Sequence, residues 1–177
     1  MIQGNKEQTN NGKVEKYCYE NKPLNCTIYG GMYQWAEAVQ YQNGASNTTS
    51  PNPAFSGNVR GICPAGWHLP SDVEWDDLYS FLGDPDVSGG ALKSTKGLWE
   101  SPNTGATNSS GFSALPGGFR DYLNDRFYDI GKFAYFWSSS EASSESASVN
   151  HFFYSSSSTY GNFYPKEDGL SVRCIQD

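Results

Sequence analysis

The apolar positions of this chain change their period part-way along. Between Ser71 and Gly83, Val73, Leu78, Phe81 and Leu82, flanked by Trp75 and Tyr79, recur at helical spacing and predict an amphipathic helix. Ser71 with Glu74 three residues on makes a capping box, Asp72, Glu74, Asp76 and Asp77 load the early turns with charge that the helix dipole favours, and Gly83 is the stop. A second, shorter helix is expected over Tyr33 to Tyr41, where Tyr33, Ala36 and Val39, with Trp35 and Ala38 on the adjoining face, follow Gly30-Gly31. Past residue 110 the period falls to two. Phe112–Leu115, Gly118–Tyr122, Arg126–Tyr128, Ala134–Ser138, Ser148–Tyr154, Tyr160–Tyr164 and Leu170–Ile175 read as short strands divided by turn residues, the spacing of an antiparallel sheet.

Between these elements the pattern is weaker. Residues 1–13 form a polar N-terminal arm, and residues 14–177 a single domain that opens on the Tyr-rich Lys16–Tyr19. Residues 42–62 lack any period and read as a long surface insertion. Gly89–Ser94 and Gly97–Trp99 read as irregular or strand segments, and the serine runs Ser138–Ser148 and Ser155–Ser158 as hairpin tips held by neighbouring aromatics. The whole is a loop-rich α+β protein.

Composition narrows the classes. With 37% hydrophobic residues in 177, one domain with a real core is affordable and two are a squeeze. Aromatics at 15% against only 18% charged residues favour strands and interfaces over long solvated helices. A net charge of -7, with the 12 Lys and Arg scattered, leaves no footprint for nucleic acid, which is not expected as a partner. No apolar run reaches bilayer-spanning length and Met1–Gln8 has no apolar signal core, so membrane contact is expected only through an anchor outside this sequence.

Four cysteines, even in number and without paired zinc-type spacing, point to an oxidising compartment. Three pairings of Cys18, Cys26, Cys63 and Cys174 are open. Asn21, Pro23 and Asn25 favour a turn that brings Cys18 to Cys26, which leaves Cys63 for Cys174 and closes a loop of over a hundred residues, worth about 4.7 kcal/mol in chain entropy.

Candidate chemistry is sparse. No Gly-x-Ser-x-Gly elbow exists, and His68 and His151 lie in segments with different jobs, so each reads as a turn-locking or strand histidine. Asp84–Gly89 imitates the start of an EF-hand loop, but position twelve is Thr95 and a turn that ends the helix is the expected reading. Asp121, Asn124, Asp125 and Asp129 suit a solvated hairpin as well as they suit calcium; no cofactor is expected, and calcium is the one metal worth testing. Recognition is the stronger reading. Tyr122, Asn124, Arg126, Tyr128, Asn150, Phe152, Tyr154, Tyr160 and Asn162 combine rigid amphipathic rings with adaptable amides, as paratopes do, although period-two strands must turn about half of them inward.

Five ordered motifs add a resemblance. Tyr29-Gly-Gly-Met-Tyr-Gln-Trp, Ile62-Cys-Pro-Ala-Gly-Trp-His-Leu-Pro-Ser-Asp-Val-Glu-Trp, Gly111-Phe-Ser-Ala-Leu-Pro-Gly-Gly-Phe-Arg, Phe136-Trp-Ser-Ser-Ser-Glu and Gly169-Leu-Ser-Val-Arg-Cys resemble the Fibrobacter succinogenes major paralogous domain over about residues 14–177. The resemblance implies a C-type-lectin-like fold, with two short helices, a twisted antiparallel sheet and long surface loops, in a secreted or surface-anchored bacterial protein. It places Trp35, Ala38, Cys63, His68-Leu69 and Cys174 at that fold's landmarks and implies the same Cys63–Cys174 bond. The usual N-terminal strand ending in a Trp-Met-Ala-Glu-Asn-Leu-like segment is missing, as in a trimmed chain. The calcium-lectin tripeptides Glu-Pro-Asn, Gln-Pro-Asp and Trp-Asn-Asp are absent. The His68 segment is also similar to formylglycine-generating enzymes, whose paired late cysteines are replaced here by Cys174 alone, so no enzyme is expected. The implied function is an extracellular or cell-surface binding module for a protein or glycan. The alternatives are a scaffold domain of a surface lipoprotein and a ligand-binding protein diversified by a retroelement.

Overall fold

The computed structural model describes residues 6–177. It is α+β. Helices α1 (Pro23–Tyr29), α2 (Trp35–Ala38), α3 (Asp72–Phe81) and α4 (Pro85–Leu92) precede most of the sheet, and β1 (Trp67–His68) lies between α2 and α3. The later strands are β2 (Phe119–Arg120), β3 (Phe127–Tyr128), β4 (Phe133–Glu141), β5 (Ser146–Phe153), β6 (Tyr160–Pro165) and β7 (Ile175–Gln176). The antiparallel meander β4-β5-β6 is the centre, β2 pairs with β3 as a small hairpin, and β1 pairs with β7.

Strand β4 organises the core because both of its faces are covered. Tyr135 and Trp137 enter one cluster with Trp35, Val39, Leu69, Val149 and Leu170. Ala134 and Phe136, one residue out of step, enter the other with Trp75, Tyr79, Leu92, Trp99 and Phe152. Alternation along a pleated strand separates the two sets. Buried indoles find acceptors: Trp35 Nε1 donates to the Ser138 carbonyl at 2.9 Å and Trp137 Nε1 to the Tyr33 carbonyl at 2.7 Å, which stitches α2 to β4. Two disulfides, Cys18–Cys26 and Cys63–Cys174, complete the frame; the second spans 111 residues.

The capping box on α3 forms as its sequence predicts: the Ser71 hydroxyl accepts from the Glu74 amide and the Glu74 carboxylate from the Ser71 amide. Its buried face differs. Trp75 and Tyr79 are buried with Leu78 and Leu82 beside them, whereas Val73 is 68% and Phe81 85% exposed. At 3.6 residues per turn, Val73 lies roughly 160° and Phe81 roughly 120° around the axis from Trp75, off any stripe that the larger rings define.

Other boundaries also move. Gly89–Ser94, expected to be irregular or strand, is mostly helix: Asp84 caps α4 by accepting from the Asp86 amide, and Pro85 occupies its first turn. The calcium-like Asp84–Gly89 segment is therefore a helix start, not the helix-ending turn expected. Gly89 and Gly90 let α4 lie against the carbonyls of Ser158 and Gly105, where a Cβ would collide. The expected Tyr33–Tyr41 helix is cut to Trp35–Ala38 because Gln40 and Tyr41 are left-handed, with φ of 54° and 52°. Residues 42–62 are not wholly surface: Ala45, Pro51 and Val59 are buried, and Val59 bridges Leu69. Phe112–Leu115 contributes a single bridge, Ala114 to Lys93, and of Leu170–Ile175 only the last residue belongs to a strand.

Residues 1–5 of the polar arm lie outside the described residues. Its remainder is held by the domain: Gln8 is buried and exchanges hydrogen bonds with Gln34, and the Thr9 amide donates to Glu15.

Candidate recognition surface

Beyond the buried part of β4 and β5, the face that carries Tyr135 and Trp137 emerges into solvent as a group of rings. Phe133 stacks on its register partner Phe153 at 5.3 Å, Phe153 contacts Tyr160 at 5.2 Å, and Tyr160 stacks on His151 at 5.4 Å. His151 closes the circuit 6.2 Å from Phe133. Phe133, His151 and Phe153 are half-buried and Tyr160 is exposed, so one side of the quartet meets water. Burial pushes the His151 imidazole below its usual pKa and keeps the surface uncharged at neutral pH. The rings continue inward through Tyr135 to Phe119 and Tyr164, and Phe119 reaches Tyr128 on β3 at 5.7 Å. The result is a connected set of aromatic rings, partly open to solvent.

A recess of about 450 Å³ lies elsewhere, between residues 51–59, the start of α3 and the end of β4. His68, buried in its wall, has Nε2 2.6 Å from Glu74 and Nδ1 2.7 Å from Asp177. Desolvation opposes charge on this ring, but the hydrogen bonds to its two carboxylate neighbours and their charge outweigh it and raise the pKa. A carboxylate acceptor at each nitrogen favours the doubly protonated ring, whose two N–H groups donate to Glu74 and Asp177. It locks the β1–β7 pair to the helix start. Among the described residues no group of three or more His, Cys, Asp and Glu side chains could hold a metal ion, and no helix is long and apolar enough to cross a membrane.

The family profile of the Fibrobacter succinogenes major domain matches residues 1–176. The chain belongs to this family. No curated protein and no solved structure matches the chain.

The structure divides the nine residues singled out in this family member by sequence. Tyr160 and the exposed Asn162 are on the side of β6 that carries the aromatic quartet, and Tyr128 is joined to it through Phe119. Tyr122, Asn124 and Arg126 belong to the β2–β3 hairpin, where the Asn124 amide donates to the Tyr128 hydroxyl. The rest face the other way. Phe152 is fully buried, Tyr154 packs half-buried beside it, and buried Asn150 accepts from the Tyr79 hydroxyl at 2.7 Å. Phe152 and Asn150 are therefore corrected to core residues, on the helix-covered face of the sheet. Sequence reasoning missed Phe133 on β4 and, on β5, His151 and Phe153, the immediate neighbours of these two. Parity along β5 was the available signal, but Ala147 and Val149 alternate with Ser148 and Asn150 only until His-Phe-Phe, where both faces turn aromatic.

Proposed function

We propose that this domain is a non-catalytic binding module of an extracellular or cell-surface protein, built on a C-type-lectin-like fold, and that its aromatic quartet takes a glycan. The observation that carries this reading is the half-exposed Phe133–Phe153–Tyr160–His151 surface, with the Asn162 amide on the same side of β6. A sugar ring has one apolar face and a rim of hydroxyls; aromatic rings suit the first and an amide the second. Support for the fold comes from the disulfide that joins the approach to the central helix to the chain's last strand region, and support for the compartment from the two disulfides. The doubly engaged His68 supports the non-catalytic reading.

The test is a glycan array and a panel of surface proteins, probed with the disulfide-intact domain in calcium and in chelator. Glycan binding that falls at least tenfold in Tyr160→Ala and Asn162→Ala, with unfolding temperatures unchanged, is the expected result. Binding to a protein alone overturns the glycan assignment. Silence in both arms from a folded domain overturns recognition and leaves the scaffold role.

A further inference from the structure

Strand β6 is the outer strand of the β4-β5-β6 meander, and among the described residues no strand pairs with its other side. The Lys166 amide continues the ladder to the Glu145 carbonyl, so residues 160, 162, 164 and 166 direct their backbone groups toward β5, while 161, 163 and 165 direct theirs outward. Pro165 has no N–H to offer. Its carbonyl takes the Asp168 amide; among the described residues the Phe163 amide bonds only the Asn162 side chain, 2.8 Å away, and the outward groups of Gly161 have no backbone partner beyond the sheet. Tyr160, Gly161, Asn162 and Phe163 are all exposed, and none carries a charge. An edge of this kind is a template for another strand.

What flanks the edge selects the strand. Phe163, 62% exposed, stands between two recesses. One, of about 260 Å³, is walled by Asp72 and Asp76; the other, of about 380 Å³, by Glu145 and Glu167. Burial and the neighbouring Glu7 and Glu145 push the Glu167 carboxyl above its ordinary pKa, a sign of how crowded with negative charge this side is. A second copy docked edge to edge would bring the same acids against their equivalents.

We infer that β6 is a docking edge for an extended segment of another polypeptide, which adds as a further strand, packs an apolar side chain on Phe163 and places Lys or Arg in the acidic recesses. Strand addition supplies affinity through main-chain hydrogen bonds and specificity through the pockets for alternate side chains. This edge shares β6 with the aromatic quartet, but its test reads the outward backbone groups of Gly161 and Phe163 and is distinguishable from the glycan array.

The probe is a capped octapeptide of alternating Lys and Val, titrated into the disulfide-intact protein while backbone amide resonances are followed. The expected result is saturable binding with the largest shifts at Gly161 and Phe163. It should weaken about tenfold when alternate peptide nitrogens are methylated or in Gly161→Pro, which removes an outward donor at a site where an added Cβ meets nothing within 4 Å. Asp76→Asn with Glu145→Gln should cost about threefold and flatten the salt dependence. A Glu-Val peptide that binds equally well, shifts centred elsewhere, or no binding at millimolar peptide overturns the proposal. So does self-association in sedimentation that the peptide displaces, since it makes a second copy the occupant.

Discussion

Asp168 is buried beneath the β2–β3 hairpin, where its carboxylate accepts from the Tyr122 amide at 3.1 Å. Desolvation is the largest influence on it and, with Asp121 and Glu167 adding to it, overcomes the Tyr122 hydrogen bond and the nearby Arg120, raising the pKa from 3.8 to about 7. A carboxyl raised in the folded state binds more protons there than in the unfolded chain, so stability falls as pH rises from about 4 to about 7. Asp168→Asn keeps the acceptor and removes the charge. We expect it to be more stable than the parent by on the order of 2 kcal/mol at pH 8, and the gap to close by pH 4, in urea unfolding across that range. His68 acts in a neighbouring window: its raised pKa gives a contribution fully present below its unfolded value of 6.5 and lost as pH rises through the folded one. Lys93 is a third buried charge, with no carboxylate in contact among the described residues. Its ammonium donates to the carbonyls of Thr104, Phe153 and Ser156 at 2.7 to 3.1 Å and ties the loop at Thr104 to the β5–β6 turn, while burial lowers its pKa to about 8.

At the scale of elements, local chemistry was the most legible part of the sequence. The capping box and Gly83 stop of α3 follow from interactions within a few residues, and both are present. Which side of that helix faces inward depends on what packs against it, and Phe112, Phe136 and Phe152 are distant in sequence. Trp75→Ala should therefore cost about 3–5 kcal/mol, whereas Phe81→Ser should change stability by under about 0.5 kcal/mol, although the hydrophobic pattern put Phe81 in the stripe and Trp75 beside it. Chemical denaturation of the two variants distinguishes them directly. Helix α4 was hidden for a related reason. Its glycines argue against helix on propensity, and only the close approach of Ser158 and Gly105 explains them. On β5 the strand itself was legible, but not its parity, and that single choice separated the core residues Asn150 and Phe152 from the surface ring of His151.

At the scale of the molecule, the two disulfides constrain very different lengths of chain. Loop-entropy reasoning gives about 4.7 kcal/mol for the 111-residue Cys63–Cys174 closure and about 2.5 kcal/mol for the 8-residue Cys18–Cys26 loop. Removal of the first pair by Cys63→Ala with Cys174→Ala should lower the unfolding temperature more than Cys18→Ala with Cys26→Ala, and calorimetry of the two double variants measures the order directly. The turn-forming residues near Cys18 made the short bond legible; the long one became the preferred partner only after the short one was assigned.

The two-sided burial of β4 has an evolutionary consequence. Its odd positions pack on α2 and end in the ring surface and its even positions meet α3 and α4, so a slip of one residue would exchange both sets at once. Register is thereby guarded from two directions. The outermost rings and the β6 side chains can be exchanged while the tryptophans that define the strand's alignment stay untouched.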